Sequence, residues 1–111
     1  MDPRVKSLKI KTGVVKRCGK EKLSYRQEAD QQKDKVEQMK KEGRDDAEVK
    51  KMIEVMQESL MMIPDCHRRL EKAYAELQAL VQGEMKDLTE TEEYRSAQQV
   101  LTEAEEQLKV A

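Results

Sequence analysis

A heptad repeat that runs straight through a proline limits what this chain can fold into. Val49, Met56, Ile63, Leu70 and Leu77 recur every seven residues, and Ile53, Leu60, His67, Tyr74 and Val81 come four positions behind them. Met52, Cys66, Ala73 and Leu80 flank the two rows. This spacing puts the apolar side chains on one stripe of a helix that packs against other helices. The pattern predicts a helix over about residues 46–82, roughly 55 Å long at a rise of 1.5 Å per residue. Pro64 stands in its middle. A proline there removes one backbone N–H and crowds the preceding turn, at a cost of about 3 kcal/mol or more. The heptad phase is nevertheless the same on both sides of it. A kink or a short interruption within one continuous rod is therefore expected.

The segments on either side read as partners for that helix. From about residue 4 to 41, Leu8, Val15, Lys22, Ala29 and Val36 form one row, and Cys18, Tyr25, Gln32 and Met39 a second. Ile10, Val14 and Leu23 lie off this seam. Gly13 and Gly19 each weaken the helix by roughly 1 kcal/mol against Ala and leave room for another helix to come close. Glu42 to Asp46 reads as a turn, with Gly43 in the left-handed conformation and Asp45 or Asp46 capping the second helix. After Gly83, Met85 and Leu88 could prolong the second helix, while Thr89 with Glu92 reads as a capping box. A third helix over about 90–110 carries Tyr94, Leu101 and Leu108 on one row and Ala97 and Ala104 on the other. Long helices joined by short loops fold back antiparallel. The expected fold is all-α: a single domain, residues 1–111, forming a rod-like three-helix bundle with left-handed coiled-coil packing. The third helix is the shortest, so part of the first two should lack a third partner.

Composition favours a thin rod over a globule. Charged residues make up 41% of the chain, and Trp and Phe are absent. There is too little bulky apolar volume to fill a sphere. Net charge is −1, unevenly spread: residues 1–40 carry 12 basic and 6 acidic side chains, residues 82–111 carry 3 and 8. The basic first third favours an acidic partner. No secretory leader or membrane-length apolar run is present, so a cytoplasmic chain with reduced cysteines is expected.

The chemistry-bearing residues are sparse. Cys18 and Cys66 lack CxxC spacing and read as buried thiols. His67 is the one histidine, and one His beside one Cys falls short of the four ligands of a structural zinc site. No phosphate-binding glycine loop is present. Neither a catalytic site nor a cofactor or metal site is expected, and the chain reads as a non-enzyme. Candidate partner contacts are Lys11, Lys16 and Arg17 on the first helix, and Met61, Met62, Arg68 and Arg69 on the second. The two methionines lie off the seam, and exposed Met adapts to varied apolar surfaces. The basic stretch lacks the interleaved aromatics of a nucleic-acid surface. From residues alone, a partner-binding rod, a coiled-coil subunit or adaptor pairing with another helical protein, and a nucleic-acid adaptor remain open, the last least favoured.

Three stretches carry a family resemblance. They are Asp2 to Val5 with Ile10 to Arg17; Gln57 to Ser59 with Met61 to Cys66 and Arg68 to Glu71; and Glu92 to Tyr94. In order and over nearly the whole chain, they resemble the tubulin-folding cofactor A family of tubulin-specific chaperones. The resemblance implies a monomeric three-helix rod in the cytoplasm, associated with the microtubule cytoskeleton, that uses no nucleotide. It implies capture of β-tubulin folding intermediates released by the cytosolic chaperonin, and their handover to other tubulin-folding cofactors.

Overall fold

The computed structural model describes residues 2–83 and 86–110. Three helices, α1 (Pro3–Lys41), α2 (Asp46–Gln82) and α3 (Glu92–Leu108), form a rod of 64 × 24 × 18 Å. A short 3-10 turn, Lys86–Leu88, precedes α3. No strand occurs among the described residues.

The helix ends are set by their capping residues. Asp2 Oδ1 accepts a hydrogen bond from the Arg4 amide at 2.9 Å, and Pro3 opens α1, where its missing N–H costs nothing. Gly43 adopts φ +70, and the Arg44 amide donates back to the Met39 carbonyl at 3.1 Å, which closes α1. Asp45 then caps α2, its Oδ1 accepting from the Ala47 amide at 3.0 Å. At α3 the expectation of Thr89 as cap is corrected. The cap is Thr91, whose Oγ1 accepts from the Tyr94 amide at 3.2 Å while its hydroxyl donates to the Leu88 carbonyl at 2.6 Å. The 3-10 turn occupies the residues just before it, which shifts the start of α3 by two positions. Met85 lies outside the described residues, and Leu88 is buried in the turn.

The main core joins all three helices. Leu8 and Val15 of α1 meet Leu70, Ala73 and Leu77 of α2 and Ala97, Val100, Leu101 and Ala104 of α3. A separate cluster of Val36, Met39 and Val49, with Met52 and Ile53 against it, holds the far end of α1 to α2 without α3. Val5 and Leu88, with Leu80 and Tyr94, close the third corner. There Arg4 grips Asp87 through both guanidinium nitrogens, at 2.9 and 2.6 Å.

α2 stays helical through Pro64. The proline is exposed, so the turn that lacks its hydrogen bond faces water. Leu60 departs from its expected place on the seam: it is 47% exposed, while Ser59 is buried. The reason is the length of α3. The row through Ile53, Leu60, His67 and Tyr74 faces α3, which ends level with Lys22 and His67. Just beyond that level Leu60 loses the cover of α3, while Ser59 and Ile63 stay buried against α1 and Ile53 is covered again by the Val36, Met39 and Val49 cluster. The antiparallel register brings Ser59 level with the buried Ala29, two small side chains where two helices press together.

Two truncations separate the rows. Leu77→Ala, at a position with no exposed surface, should lower unfolding free energy by about 2–5 kcal/mol in denaturant melts. Leu60→Ala should stay within about 1 kcal/mol of the parent, because the leucine is half out in solvent.

Candidate functional site

The seven candidate contact residues do not converge on a pocket. They are spread over separate parts of the surface. On α1, Lys16 and Arg17 are exposed, and Lys11 lies 3.7 Å from Glu76 of α2. On α2, Met61 and Arg68 stand seven residues apart on one ridge, and Met62 and Arg69 on the next. Met61 is 72% exposed, the most open large apolar side chain among the described residues. Met62 is half-buried and borders a shallow groove of about 440 Å³ with Tyr25, Gln32, Val55 and Ser59. Gln32 Oε1 is buried there without a hydrogen-bond partner. The α2 arginines are partly committed: Arg68 pairs with Asp65, and Arg69 donates to Cys66 Sγ at 3.2 Å. Lys16 and Arg17 have no ion-pair partner among the described residues.

One polar cluster is anchored on a buried lysine. Lys22 is 4% exposed, and its ammonium donates to the Gln107 carbonyl at 2.7 Å and to the Val110 carbonyl. It also meets His67 Nδ1 at 2.9 Å, and His67 Nε2 faces Glu71 at 3.0 Å. A lysine from α1 thus satisfies carbonyls that the C-terminal end of α3 leaves open. Burial pushes the Lys22 pKa below its ordinary value, helped by the nearby Arg26 and opposed by Glu71. Both Lys22 and His67 already stand on the apolar rows in the sequence, and that misplacement is the signal that they hold each other inside the rod.

Both cysteines are buried and free. Desolvation, with Glu21 nearby, pushes the Cys18 thiol up, which makes it a poor nucleophile. Among the described residues no three His, Cys, Asp or Glu side chains gather as a metal would need, and no helix is long and apolar enough to cross a membrane.

A slender helical rod whose apolar stripes are mostly enclosed, and whose accessible chemistry is charge and methionine on convex faces, belongs to the class of helical protein-binding modules. The chain belongs to the tubulin binding cofactor A family, whose model matches residues 3–101. It is 56% identical over 100 residues to human "Tubulin-specific chaperone A", covering 90% of this chain and 92% of that one. It is 40% identical over 104 residues to "Tubulin-folding cofactor A" of Arabidopsis thaliana, covering 93% and 92%. The fold matches the solved human tubulin chaperone cofactor A with a TM-score of 0.80 at 51% identity, covering 93% of this chain and 99% of that one. It matches the crystal structure of the Arabidopsis thaliana cofactor at 0.86 and 36%, covering 96% and 99%.

The Lys22 cluster yields a pH test. A lysine with a lowered folded pKa binds its proton less tightly in the folded chain than in the unfolded one. Stability therefore rises with pH between the folded value and the ordinary 10.5. Lys22→Met should abolish that rise, so the parent should gain stability relative to the variant as pH climbs toward 10.5. Denaturant melts of both proteins across an alkaline pH series check it.

Proposed function

We propose that this chain is a holding chaperone in tubulin folding. It captures β-tubulin folding intermediates after their release from the cytosolic chaperonin and keeps them for handover to other tubulin-folding cofactors during heterodimer assembly. It works as a monomer in the cytoplasm, close to the microtubule cytoskeleton, by binding rather than by catalysis. The observation that carries this reading is the 56% identity, over 90% of the chain, to a protein named for tubulin-specific chaperone activity.

The physical properties of the rod support it. A folding intermediate exposes apolar surface, and Met61 offers a flexible apolar side chain with Met62 beside it. Arg68 and Arg69 stand about two turns further along α2, Lys11 lies beside α2 on α1, and Lys16 and Arg17 add exposed charge on the side of α1 turned away from α2. A binder with no energy source acts through differential affinity: it must hold the intermediate more tightly than the assembled dimer. Convex contacts built from exposed charge and methionine suit that task. They grip moderately and release by mass action when a better partner appears.

Reversal of Lys16, Arg17, Arg68 and Arg69 to Glu tests the assignment. Each exposed charge contact contributes about 0.2–1 kcal/mol, so removing four should weaken β-tubulin capture by roughly 4- to 900-fold. The helical circular dichroism signal of the variant should be unchanged. Full capture by a folded variant would remove these residues from the interface. Failure of the parent protein to recover β-tubulin from a chaperonin-coupled translation reaction would overturn the reading itself. Sedimentation of the parent should give a monomer of 12.9 kDa, whereas a coiled-coil subunit would run as an obligate dimer.

A further inference from the structure

From Pro3 to Lys20 the chain carries no acidic residue and seven basic ones. Arg4 is engaged with Asp2 and Asp87, and Lys11 with Glu76. The other five, Lys6, Lys9, Lys16, Arg17 and Lys20, are all exposed and form no ion pair with another described residue. They lie on the side of α1 turned away from α2, over about 21 Å of helix at 1.5 Å per residue. Lys9 and Lys16 border a shallow groove whose far rim is Glu92 and Glu93 of α3, yet no ion pair spans it. Unpaired like charges this close repel one another along the helix. The fold draws no ion pair from them.

Two apolar features sit inside this strip. Ile10 is 57% exposed between Lys6 and Arg17. One turn further on is Gly13, exposed, where an added Cβ would meet nothing within 4 Å. Two other glycines sit under a local constraint. Gly43 takes a left-handed turn, and a Cβ on Gly19 would lie 2.3 Å from Gln107 Oε1. Gly13 has none, although a mid-helix glycine costs about 1 kcal/mol against alanine. It leaves backbone bare on the outer surface.

We propose that the Lys6–Lys20 strip of α1 is a docking surface for an acidic amphipathic helix. The partner's carboxylates lie over Lys6, Lys9, Arg17 and Lys20, one apolar side chain covers Ile10, and the close approach falls at Gly13. The inference deepens the chaperone reading by giving the chemistry of one contact, and rests on that reading only for the identity of the partner. Nucleic acid suits the strip less well. No aromatic side chain lies on it to stack a base, and an exposed isoleucine gains nothing against a phosphodiester.

The experiment uses a fluorescein-labelled synthetic helical peptide with Glu at three- and four-residue spacing and one central Leu, and fluorescence anisotropy with the full chain. The peptide should bind, and binding should weaken as salt rises. Arg17→Glu with Lys20→Glu should weaken it at least tenfold. Gly13→Ala should have opposite effects on two readouts: a melting temperature raised by about 4–8 °C and peptide affinity lowered several-fold. A Gly13→Ala protein that is more stable and binds as well as the parent overturns the close approach. Absence of peptide binding at low salt overturns the docking surface. A single-stranded oligonucleotide of equal charge that binds more tightly than the peptide overturns the choice of partner. β-Tubulin capture is measured on the same samples. Capture without peptide binding leaves the chaperone reading standing and removes this inference, and peptide binding without capture does the reverse.

Discussion

The antiparallel seam between α1 and α2 is the interaction on which the rest of the rod depends. Its centre is a short run of fully enclosed side chains, Leu8 and Val15 against Leu70 and Leu77. The chain has few bulky residues to add, so it cannot widen this seam into a globular core. It lengthens it instead. Each helix presents one narrow apolar stripe, and only a partner helix of similar length can cover such a stripe. Rod shape, exposed charge and convex faces all result from that geometry.

α3 changes the two ends of the rod in different ways. It is 17 residues long, against 39 and 37 for its partners. Where it lies, Ala97 and Ala104 let it settle deeply onto the seam. Where it stops, Lys22 reaches from α1 to the carbonyls at its end, and His67 and Glu71 receive the polar side of that contact. A buried ammonium is costly unless its hydrogen bonds are filled. Here helix-end carbonyls, which need donors anyway, fill them. Past this point the rod is a two-helix arm, and side chains such as Leu60 and Leu23 come to the surface.

Much of this organisation was legible in the sequence, and the parts that were not share a physical cause. Period-seven spacing placed three helices and their order, because burial repeats with the helix. Gly43 and Asp45 were legible because each serves a local backbone need that any chain would have. Leu60 was not placed correctly. Its spacing fits the seam, but its burial depends on where a different helix ends. Thr91 was missed in favour of Thr89 because a 3-10 turn, which leaves little periodic signal, precedes the cap. The Lys22 and His67 pair was visible only as two polar residues on apolar rows. The reason for the lysine lies 85 residues further along the chain, in the carbonyl of Gln107. For the candidate contacts, exposure of Met61 agreed with its position off the seam. The self-pairing of Arg68 with Asp65 could have been read from their three-residue spacing.

The separation between inner stripe and outer surface also bears on how such a rod could hold an unfinished protein. A chaperone that bound through its own core stripes would have to open, and its binding would then cost its stability. Here the buried leucines are committed to the bundle, and the groups proposed to face a partner are ones the bundle does not use. Lys16 and Arg17 make no ion pair with a described residue, Met61 stands 72% exposed, and Gly13 fills no internal need. Binding and folding are then nearly independent free energies, and substitutions on the outer faces can alter one without the other. That independence lets a small domain of modest stability carry a sticky surface. The exposed charged and methionine side chains are scattered over convex ridges, too sparse to join two rods through apolar contact alone.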